Sequence, residues 1–234
     1  MASNQEKSIG VSVKRLEDNR LLRGAGRYID DIQLPDMLHA AVLRSPYAHA
    51  RILHIEARPA LALSGVVAVF TFDDLASVKP IPIRLNPYGS LEPFLQSPLA
   101  SGRVRYVGDP VALIVAESRY QAEDALELVT VEYEPLPVYI DAEADPMIAL
   151  HDDAVDNVAS HFVMEKGDVT TAFTKAEHVT KLRFVTGRHS GVPLETRGLL
   201  AHYDLAQQRL RVWGPTKVTH FNRGVLAHML DMPE

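Results

Sequence analysis

Three histidines in one short stretch are the first residues of this sequence whose side chains could do chemistry. His39, His49 and His54 lie within sixteen residues, and imidazole is the commonest metal ligand in proteins. Their spacing matches no metal-ligand motif, and no acidic side chain lies at helical distance to complete a site. The pattern therefore favours structural histidines, and no metal site is predicted.

Two short motifs near the N-terminus invite a functional interpretation. Gly24 and Gly26 resemble part of a phosphate-binding loop, but the third glycine of that fingerprint and the preceding buried strand are missing. Turn glycines are the better interpretation. Asp30 and Asp31 could form an acid–base pair, yet adjacent side chains on an extended segment point to opposite faces. These carboxylates are therefore expected in a solvated turn before Pro35.

Several catalytic arrangements are excluded by what the sequence lacks. The chain has no cysteine, so it contains no disulfide, thiolate metal site, iron–sulfur ligation or cysteine nucleophile. It also contains neither a Gly-x-Ser-x-Gly elbow nor a His-Glu-x-x-His motif. A stand-alone hydrolase is therefore a poor interpretation of this chain.

The composition is typical of an ordinary globular protein. Of 234 residues, 47% are hydrophobic and 23% are charged, which suits one large domain or two small ones. The net charge is −6 with scattered lysine and arginine, so nothing indicates a nucleic-acid surface. No apolar run approaches the ~20 residues of a membrane helix, and the N-terminus lacks the apolar core of a signal peptide. A cytoplasmic protein without a nucleic-acid or membrane partner is expected.

The elements that must position any site are clearest between residues 103 and 137. Residues 111–116 form a continuous apolar run, which predicts a strand buried on both faces. Ser118 can cap a helix that begins near Tyr120, because apolar residues then recur at intervals of three and four. Residues 129–133 alternate and are β-branched, so they predict a second strand. This strand, helix and strand make an α/β unit. The sequence alone does not determine whether the two strands are parallel or whether they are neighbours in one sheet.

The remaining pattern predicts a tail, a long loop and further short elements. Residues 1–8 are polar and expected to be disordered, and residues 80–98 contain five prolines and predict a long loop. Asp168 is a possible helix cap. The other predicted elements are strands at 37–43, 50–56, 66–70 and 177–185, a hairpin of 198–204 with 209–213, a helical turn at 59–63, a short helix within 166–173 and a helix at 220–230.

Several blocks of sequence, in order, closely resemble the start of one protein family. That family comprises the molybdopterin-binding large subunits of the molybdenum hydroxylases: xanthine dehydrogenase, aldehyde oxidase and carbon monoxide dehydrogenase. The resemblance covers almost the whole chain from about residue 10. The blocks are residues 12–18, 24–32, 38–50, 105–112, 122–125, 131–137, 194–198, 213–220 and 233–234.

The resemblance implies a fold of the α+β or α/β class with defined boundaries. An N-terminal tail at 1–16 is followed by an aldehyde oxidase/xanthine dehydrogenase-type α/β hammerhead domain at 17–137. A linker at 138–160 leads to the N-terminal part of the first molybdenum-cofactor-binding domain at 161–234. In the family, the glycine-rich cofactor loop and the glutamate base lie beyond the segment that matches residue 234. The chain is therefore expected to have no catalytic residue of its own, whether it is a natural subunit or a piece of a longer chain.

The resemblance also implies cofactors and partners. The molybdenum cofactor, as molybdopterin or its cytosine dinucleotide, would be held mainly by another chain, and a 2Fe-2S cluster and FAD would reside on partner subunits. The expected partners are a C-terminal molybdopterin-binding chain, an iron–sulfur subunit and an FAD subunit. The expected activity is oxidation of an aldehyde, purine or N-heteroaromatic substrate with water as oxygen source, and the isolated chain would be inactive. The alternative is a scaffold subunit without cofactor contact.

Only two residues are carried over as cofactor-binding candidates. Lys217 occupies the position of a family glutamine whose amide lies beside the molybdenum oxo ligands, and Thr216 precedes it. An ammonium group can donate to an oxo or phosphate oxygen, but an exposed turn lysine is an equally good interpretation. His220 is expected to start a helix. Glu195 is expected to pair with Arg197 or with a partner chain rather than to act as a base.

Overall fold

The structure is a computed structural model that describes residues 9–84, 91–141, 143, 149–154 and 156–234. The predicted tail at 1–8 and the middle of the predicted loop, residues 85–90, lie outside that part of the chain, as do several residues of the linker. The elements in chain order are α1 (Asp18–Leu22), β1 (His39–Arg44), β2 (Ala50–Glu56), α2 (Arg58–Leu61), β3 (Val66–Phe70), β4 (Arg103–Val104), β5 (Pro110–Ala116), α3 (Arg119–Leu128), β6 (Thr130–Pro135), α4 (Val169–Lys175), β7 (Leu200–Asp204), β8 (Arg209–Trp213) and α5 (Thr219–Leu230).

The chain divides into two compact units, each built from two separate stretches. The smaller unit combines Met1–Pro35 with Gly187–Lys217, and the larger combines Asp36–Thr186 with Val218–Glu234. Within the described residues, no helix has both the length and the apolar character that crossing a membrane requires.

The larger unit contains two three-stranded sheets. One has the strand order β1-β5-β3 and the other has the order β4-β2-β6. Every pairing in these sheets is antiparallel. The two central strands, β5 and β2, therefore each have neighbours on both sides, while β3 lies at an edge and leaves Val67 and Phe70 partly exposed.

The predicted strand–helix–strand unit is confirmed as β5, α3 and β6. Ser118 caps α3 as expected, because its hydroxyl oxygen accepts a hydrogen bond from the Gln121 amide at 3.3 Å. The two strands, whose relationship the sequence does not determine, lie in different sheets. The helix α3 therefore connects one sheet to the other.

Small side chains on α3 let this helix pack closely against the first sheet. Ala125 is fully buried in one cluster with Ala112 and Ile114 of β5 and with Ala60 of α2. Burying an isoleucine side chain stabilises the folded chain by about 1.5–3 kcal/mol. Ile114 is therefore one of the residues of this cluster that stabilise the fold most. A second cluster joins Ala50, Val104 and Val111, with Ile52 and Tyr133 packed against it.

His49 has the structural role that the sequence favoured. Its side chain is only 2% exposed, and its Nδ1 atom lies 2.8 Å from the carbonyl oxygen of Pro137. Its own carbonyl oxygen accepts from the Leu136 amide at 3.0 Å. His49 therefore holds the end of β6 against the start of β2. His39 and His54 lie on β1 and β2, and His54 is exposed.

The C-terminal helix, α5, is confirmed and is held to the larger unit at its end. The Lys79 amide donates to the Met229 carbonyl oxygen at 3.0 Å, and the Lys79 ammonium pairs with Asp231 at 2.8 Å. Met229 is buried, whereas Phe221 remains 41% exposed. The predicted cap of α4 is also confirmed, because the Asp168 carboxylate accepts from the Thr171 amide at 2.9 Å.

One predicted strand is wrong for this chain. Residues 177–185 alternate as a half-buried strand should, but within the described residues they pair with no other strand and remain exposed. The reason is physical, since a strand needs a hydrogen-bonded neighbour and a surface to bury its apolar face. Leu182 is 70% exposed and Phe184 is 84% exposed.

Candidate functional site

The hairpin of the smaller unit positions the segment that contains the two cofactor-binding candidates. β7 and β8 pair in register from Leu200 opposite Trp213 to Asp204 opposite Arg209. Asp204 stabilises the connecting turn, because its carboxylate accepts from the amides of Ala206 and Gln207 at 3.0 Å each. The chain then leaves β8 at its C-terminal end and enters residues 214–217.

Two glycines bring the open end of this hairpin close together. A Cβ atom at Gly214 would lie 2.7 Å from the Gly198 carbonyl oxygen and 2.6 Å from a methyl group of Leu199. Both distances are shorter than a real Cβ contact, so only glycine fits this backbone approach. Gly214 therefore sets the direction in which residues 215–217 leave the hairpin.

The two candidates lie on this exit segment. Thr216 and Lys217 are both exposed, and Lys217 sits at a bend immediately before α5. An ammonium and a hydroxyl group are hydrogen-bond donors of the kind that an anionic oxygen requires. Cofactor binding by these two residues stays a prediction. His220 lies in the first turn of α5, as expected.

Glu195 contacts the N-terminal stretch rather than Arg197, while its expected pairing with a partner chain stays a prediction. Its carboxylate oxygen accepts a hydrogen bond from the Ile29 amide at 3.1 Å, while the predicted pair with Arg197 is absent from the ion pairs of the described residues. Gly198 permits this close packing, because a Cβ atom at that position would lie only 2.9 Å from a methyl group of Ile29. The residues around Glu195 thus pack against the N-terminal stretch. Sequence reasoning missed this link, and nothing in the local pattern signals it.

The aspartate pair lies in a turn, as the sequence favoured. Residues Ile29–Asp31 form one turn of 3₁₀ helix, and the Asp31 carboxylate accepts from the Tyr28 amide at 2.9 Å. Asp31 therefore caps this turn and helps to present the Ile29 amide to Glu195. Gly24 has φ of +70° with open space around it, which is a turn glycine's conformation.

The larger unit contains a cleft of about 330 Å³ lined by charged side chains. Arg103 pairs with Asp152 at 2.9 Å, and the Arg105 guanidinium donates to the Leu150 carbonyl oxygen at 2.7 Å. Burial raises the pKa of Asp109, whose carboxylate accepts from the Arg105 amide at 3.0 Å. Burial and the positive charge of Arg103 both lower the pKa of Arg105, so this cleft contains charged groups that are favourably paired and charged groups that are not.

The His151 side chain closes one side of this cleft against Phe94. The ring centroids are 5.1 Å apart with an edge-to-face geometry. Burial lowers the pKa of His151, and the positive charge of Arg105 lowers it further. Within the part of the chain that the structure describes, no three histidine or acidic side chains are grouped to hold a metal ion.

Two family models match consecutive parts of the chain. Residues 23–137 match "Aldehyde oxidase and xanthine dehydrogenase, a/b hammerhead domain", and residues 150–234 match "Molybdopterin cofactor-binding domain". The chain belongs to the aldehyde oxidase and xanthine dehydrogenase family. The resemblance found in the sequence and the predicted hammerhead fold followed by the start of a molybdopterin domain are both confirmed.

Individual family members are similar over nearly the whole chain. The gamma subunit of the 6-hydroxypseudooxynicotine dehydrogenase complex of Paenarthrobacter nicotinovorans is 40% identical, over 99% of this chain and 30% of that protein. The crystal structure of quinoline 2-oxidoreductase from Pseudomonas putida 86 superimposes with a TM-score of 0.86 at 40% identity, covering 97% of this chain and 29% of that one. The chain thus spans about 30% of the length of such relatives.

A further family member is a much shorter polypeptide. The large molybdopterin subunit of nicotinate dehydrogenase from Eubacterium barkeri is 28% identical over 96% of this chain, and the match covers 51% of that subunit. Subunits of quite different length within the family therefore contain the part that this chain represents.

Proposed function

We propose that this chain is the N-terminal part of the molybdopterin-binding large subunit of a molybdenum hydroxylase. The observation that carries the proposal is the pair of consecutive matches, hammerhead at 23–137 and molybdopterin domain at 150–234, together with similarity to the long relatives over nearly the whole chain. The proposed domain boundaries are those expected from the sequence, with the hammerhead at 17–137 and the second domain from 161.

The proposed substrate is an N-heteroaromatic compound. Nicotinate, quinoline and 6-hydroxypseudooxynicotine, the compounds named for the three relatives, each contain a pyridine-type ring. The reaction would be hydroxylation at an electron-poor ring carbon, with water as the oxygen source. An aldehyde or a purine is the alternative substrate class, which the wider family also accepts.

The molybdenum cofactor supplies the two-electron oxidation of that carbon when it is bound. This chain's own contribution would be to donate hydrogen bonds to anionic oxygens at the edge of the cofactor pocket. The exposed Lys217 ammonium and the Thr216 hydroxyl would be the donors, on the segment that follows Gly214. A charge-assisted hydrogen bond to an anion is roughly twice as strong as a neutral one, so Lys217 is the stronger contact.

The remaining roles would lie outside residues 1–234. The rest of the molybdopterin-binding subunit would hold most of the cofactor and supply the base, and iron–sulfur and FAD subunits would carry electrons away. The isolated chain would therefore be inactive.

The experiment that tests this proposal compares variants of Lys217 in the assembled enzyme. Lys217→Ala removes the donor, so turnover of an N-heteroaromatic substrate should fall about tenfold or more, as for loss of one preorganised donor. Lys217→Gln restores the family's amide and should retain most of the activity. Lys175→Ala, which removes an exposed lysine at the end of α4, is the matched control. A fully active Lys217→Ala enzyme would support the scaffold alternative instead.

A further inference from the structure

Residues 150–152, which we name the clasp, are fixed to the hammerhead match through their two outer members. The Leu150 carbonyl oxygen accepts a hydrogen bond from the Arg105 guanidinium at 2.7 Å. The Asp152 carboxylate pairs with Arg103 at 2.9 Å. Because the match to the molybdopterin-binding domain begins at residue 150, these contacts hold the start of the second match against the first.

The middle residue of the clasp, His151, contacts the same part of the chain through its ring. The ring packs edge-to-face against Phe94, with the two centroids 5.1 Å apart, which is a favourable arrangement for uncharged aromatic rings. The side chain is only partly exposed. It is therefore removed from some of the water that would stabilise an imidazolium ion.

The charges around His151 oppose its protonation on balance. Burial is the largest cause that lowers the pKa of this ring, and the positive charges of Arg105 and Arg103 lower it further. The Pro93 backbone and the Asp152 carboxylate act in the opposite direction, but the pKa remains below its ordinary value of 6.5. Among the described residues, the other titratable groups that line this cleft are Glu92, Tyr106, Asp109 and Asp153.

We infer that residues 150–152 are an acid-released clasp, in which protonation of His151 detaches this segment from the hammerhead match. A released segment returns the ring to water, where its pKa is about 6.5. The docked ring has the lower pKa, so docking is at full strength above about pH 6.5 and weakens as the pH falls towards the docked pKa. One proton limits the weakening to about tenfold per pH unit. The inference concerns this conformational change alone and needs neither the cofactor nor the substrate proposed above.

Asp109 is the other group in the cleft whose titration must be separated from that of His151. Burial raises the pKa of the Asp109 carboxyl, so acid neutralises it earlier than an ordinary aspartate. Its carboxylate accepts a hydrogen bond from the Arg105 amide rather than from the clasp. Neutralising Asp109 therefore leaves the direct contacts of the clasp in place, and Asp109→Asn should not abolish the acid response.

The test follows the mobility of a spin label on the full chain. The chain has no cysteine, so Ala149→Cys provides a single attachment site at an exposed position next to the clasp. Electron paramagnetic resonance should show a restricted label at pH 8. Below about pH 6.5 a mobile component should grow by up to about tenfold per pH unit. Circular dichroism of the same samples should show that the secondary structure persists while the label becomes mobile.

Variants in the labelled background identify the titrating group. His151→Gln removes the ring and should make the label's mobility independent of pH. The matched control is His161→Gln, at an exposed position, which should leave the pH dependence unchanged. Asp152→Asn weakens the pair with Arg103, so the mobile component should be larger at every pH and should still grow on acidification.

Three results would overturn the acid-released clasp. The first is a label that is equally mobile at pH 8 and pH 5. The second is an acid response that persists in His151→Gln or disappears in Asp109→Asn, since another group would then be the one that titrates. The third is a mobile component that appears only together with loss of secondary structure, which would assign the effect to unfolding of the chain. Each of these results leaves the proposed function intact, because no cofactor or substrate enters the measurement.

Discussion

The Ile29 amide donates a hydrogen bond to the Glu195 carboxylate at 3.1 Å, although the two residues are 166 positions apart. This contact joins the two stretches that build the smaller unit. Glu195 precedes the hairpin that leads to residues 214–217, and Ile29 lies in a turn that is capped by Asp31. The candidate cofactor segment is therefore supported from the N-terminal end of the chain.

Removing the Glu195 carboxylate should destabilise the smaller unit. Glu195→Ala leaves the half-buried Ile29 amide without its acceptor, which should cost about 1–3 kcal/mol of unfolding free energy. Denaturant titration measures the change. Glu195→Gln keeps an acceptor oxygen and should lose less unfolding free energy than Glu195→Ala. Arg197→Ala should change the unfolding free energy little. Equal losses in the Glu195→Gln and Glu195→Ala variants would show that charge, rather than this hydrogen bond, is the source of stability.

Gly214 should tolerate no side chain. Gly214→Ala places a Cβ atom 2.7 Å from the Gly198 carbonyl oxygen, and overpacking of this kind should cost about 1–3 kcal/mol. Because the exit segment would shift, the assembled enzyme should also retain less molybdenum. Gly191→Ala is the matched control in the same unit, since a Cβ there meets nothing within 4 Å. A Gly214→Ala protein as stable as the control would contradict the close approach of the two glycines.

The local elements could be predicted because their determinants are close in sequence. Ser118 lies only three residues before Gln121, whose backbone amide donates to the Ser118 hydroxyl and so caps α3. The continuous apolar run of β5 predicts a buried strand whichever strands lie beside it. The Ile29–Glu195 contact could not be predicted, since it depends on how two distant stretches come together. The strand predicted at residues 177–185 was wrong because strand formation also depends on contacts that are distant in sequence. Their alternation satisfies the local pattern of a strand, but no hydrogen-bonding neighbour lies beside them among the described residues.

His49 should contribute substantially to the stability of the larger unit. His49→Ala removes a buried ring and its bond to the Pro137 carbonyl oxygen, which should cost about 2–4 kcal/mol. The matched control is His54→Ala, which removes an exposed ring from β2 and should change the unfolding free energy by no more than about 0.5 kcal/mol. Thermal and denaturant unfolding measure both variants. Similar losses for His49→Ala and His54→Ala would contradict the structural role of the buried histidine.

His151 should make the larger unit sensitive to acid. Burial lowers the pKa of this imidazole below its ordinary value of 6.5, so the unfolded chain takes up a proton at a higher pH than the folded chain does. The stability that His151 contributes is therefore present above about pH 6.5 and is lost as the pH falls through the lowered pKa. His151→Gln should flatten this part of the stability curve.

The control for this pH dependence is His161→Gln, because His161 is exposed and its replacement should leave the curve unchanged. Unfolding free energies measured between about pH 8 and pH 5 provide the comparison. If the His151→Gln protein loses stability on acidification as steeply as the unaltered chain, another group is responsible.

The most direct test of the central claim is native mass spectrometry of the complex purified through a tag on this chain, with molybdenum quantified in the same sample. We predict that iron–sulfur and FAD subunits co-purify with it, with about one molybdenum per copy of this chain. A chain that is recovered alone and without molybdenum would contradict the claim that it is part of a molybdenum hydroxylase.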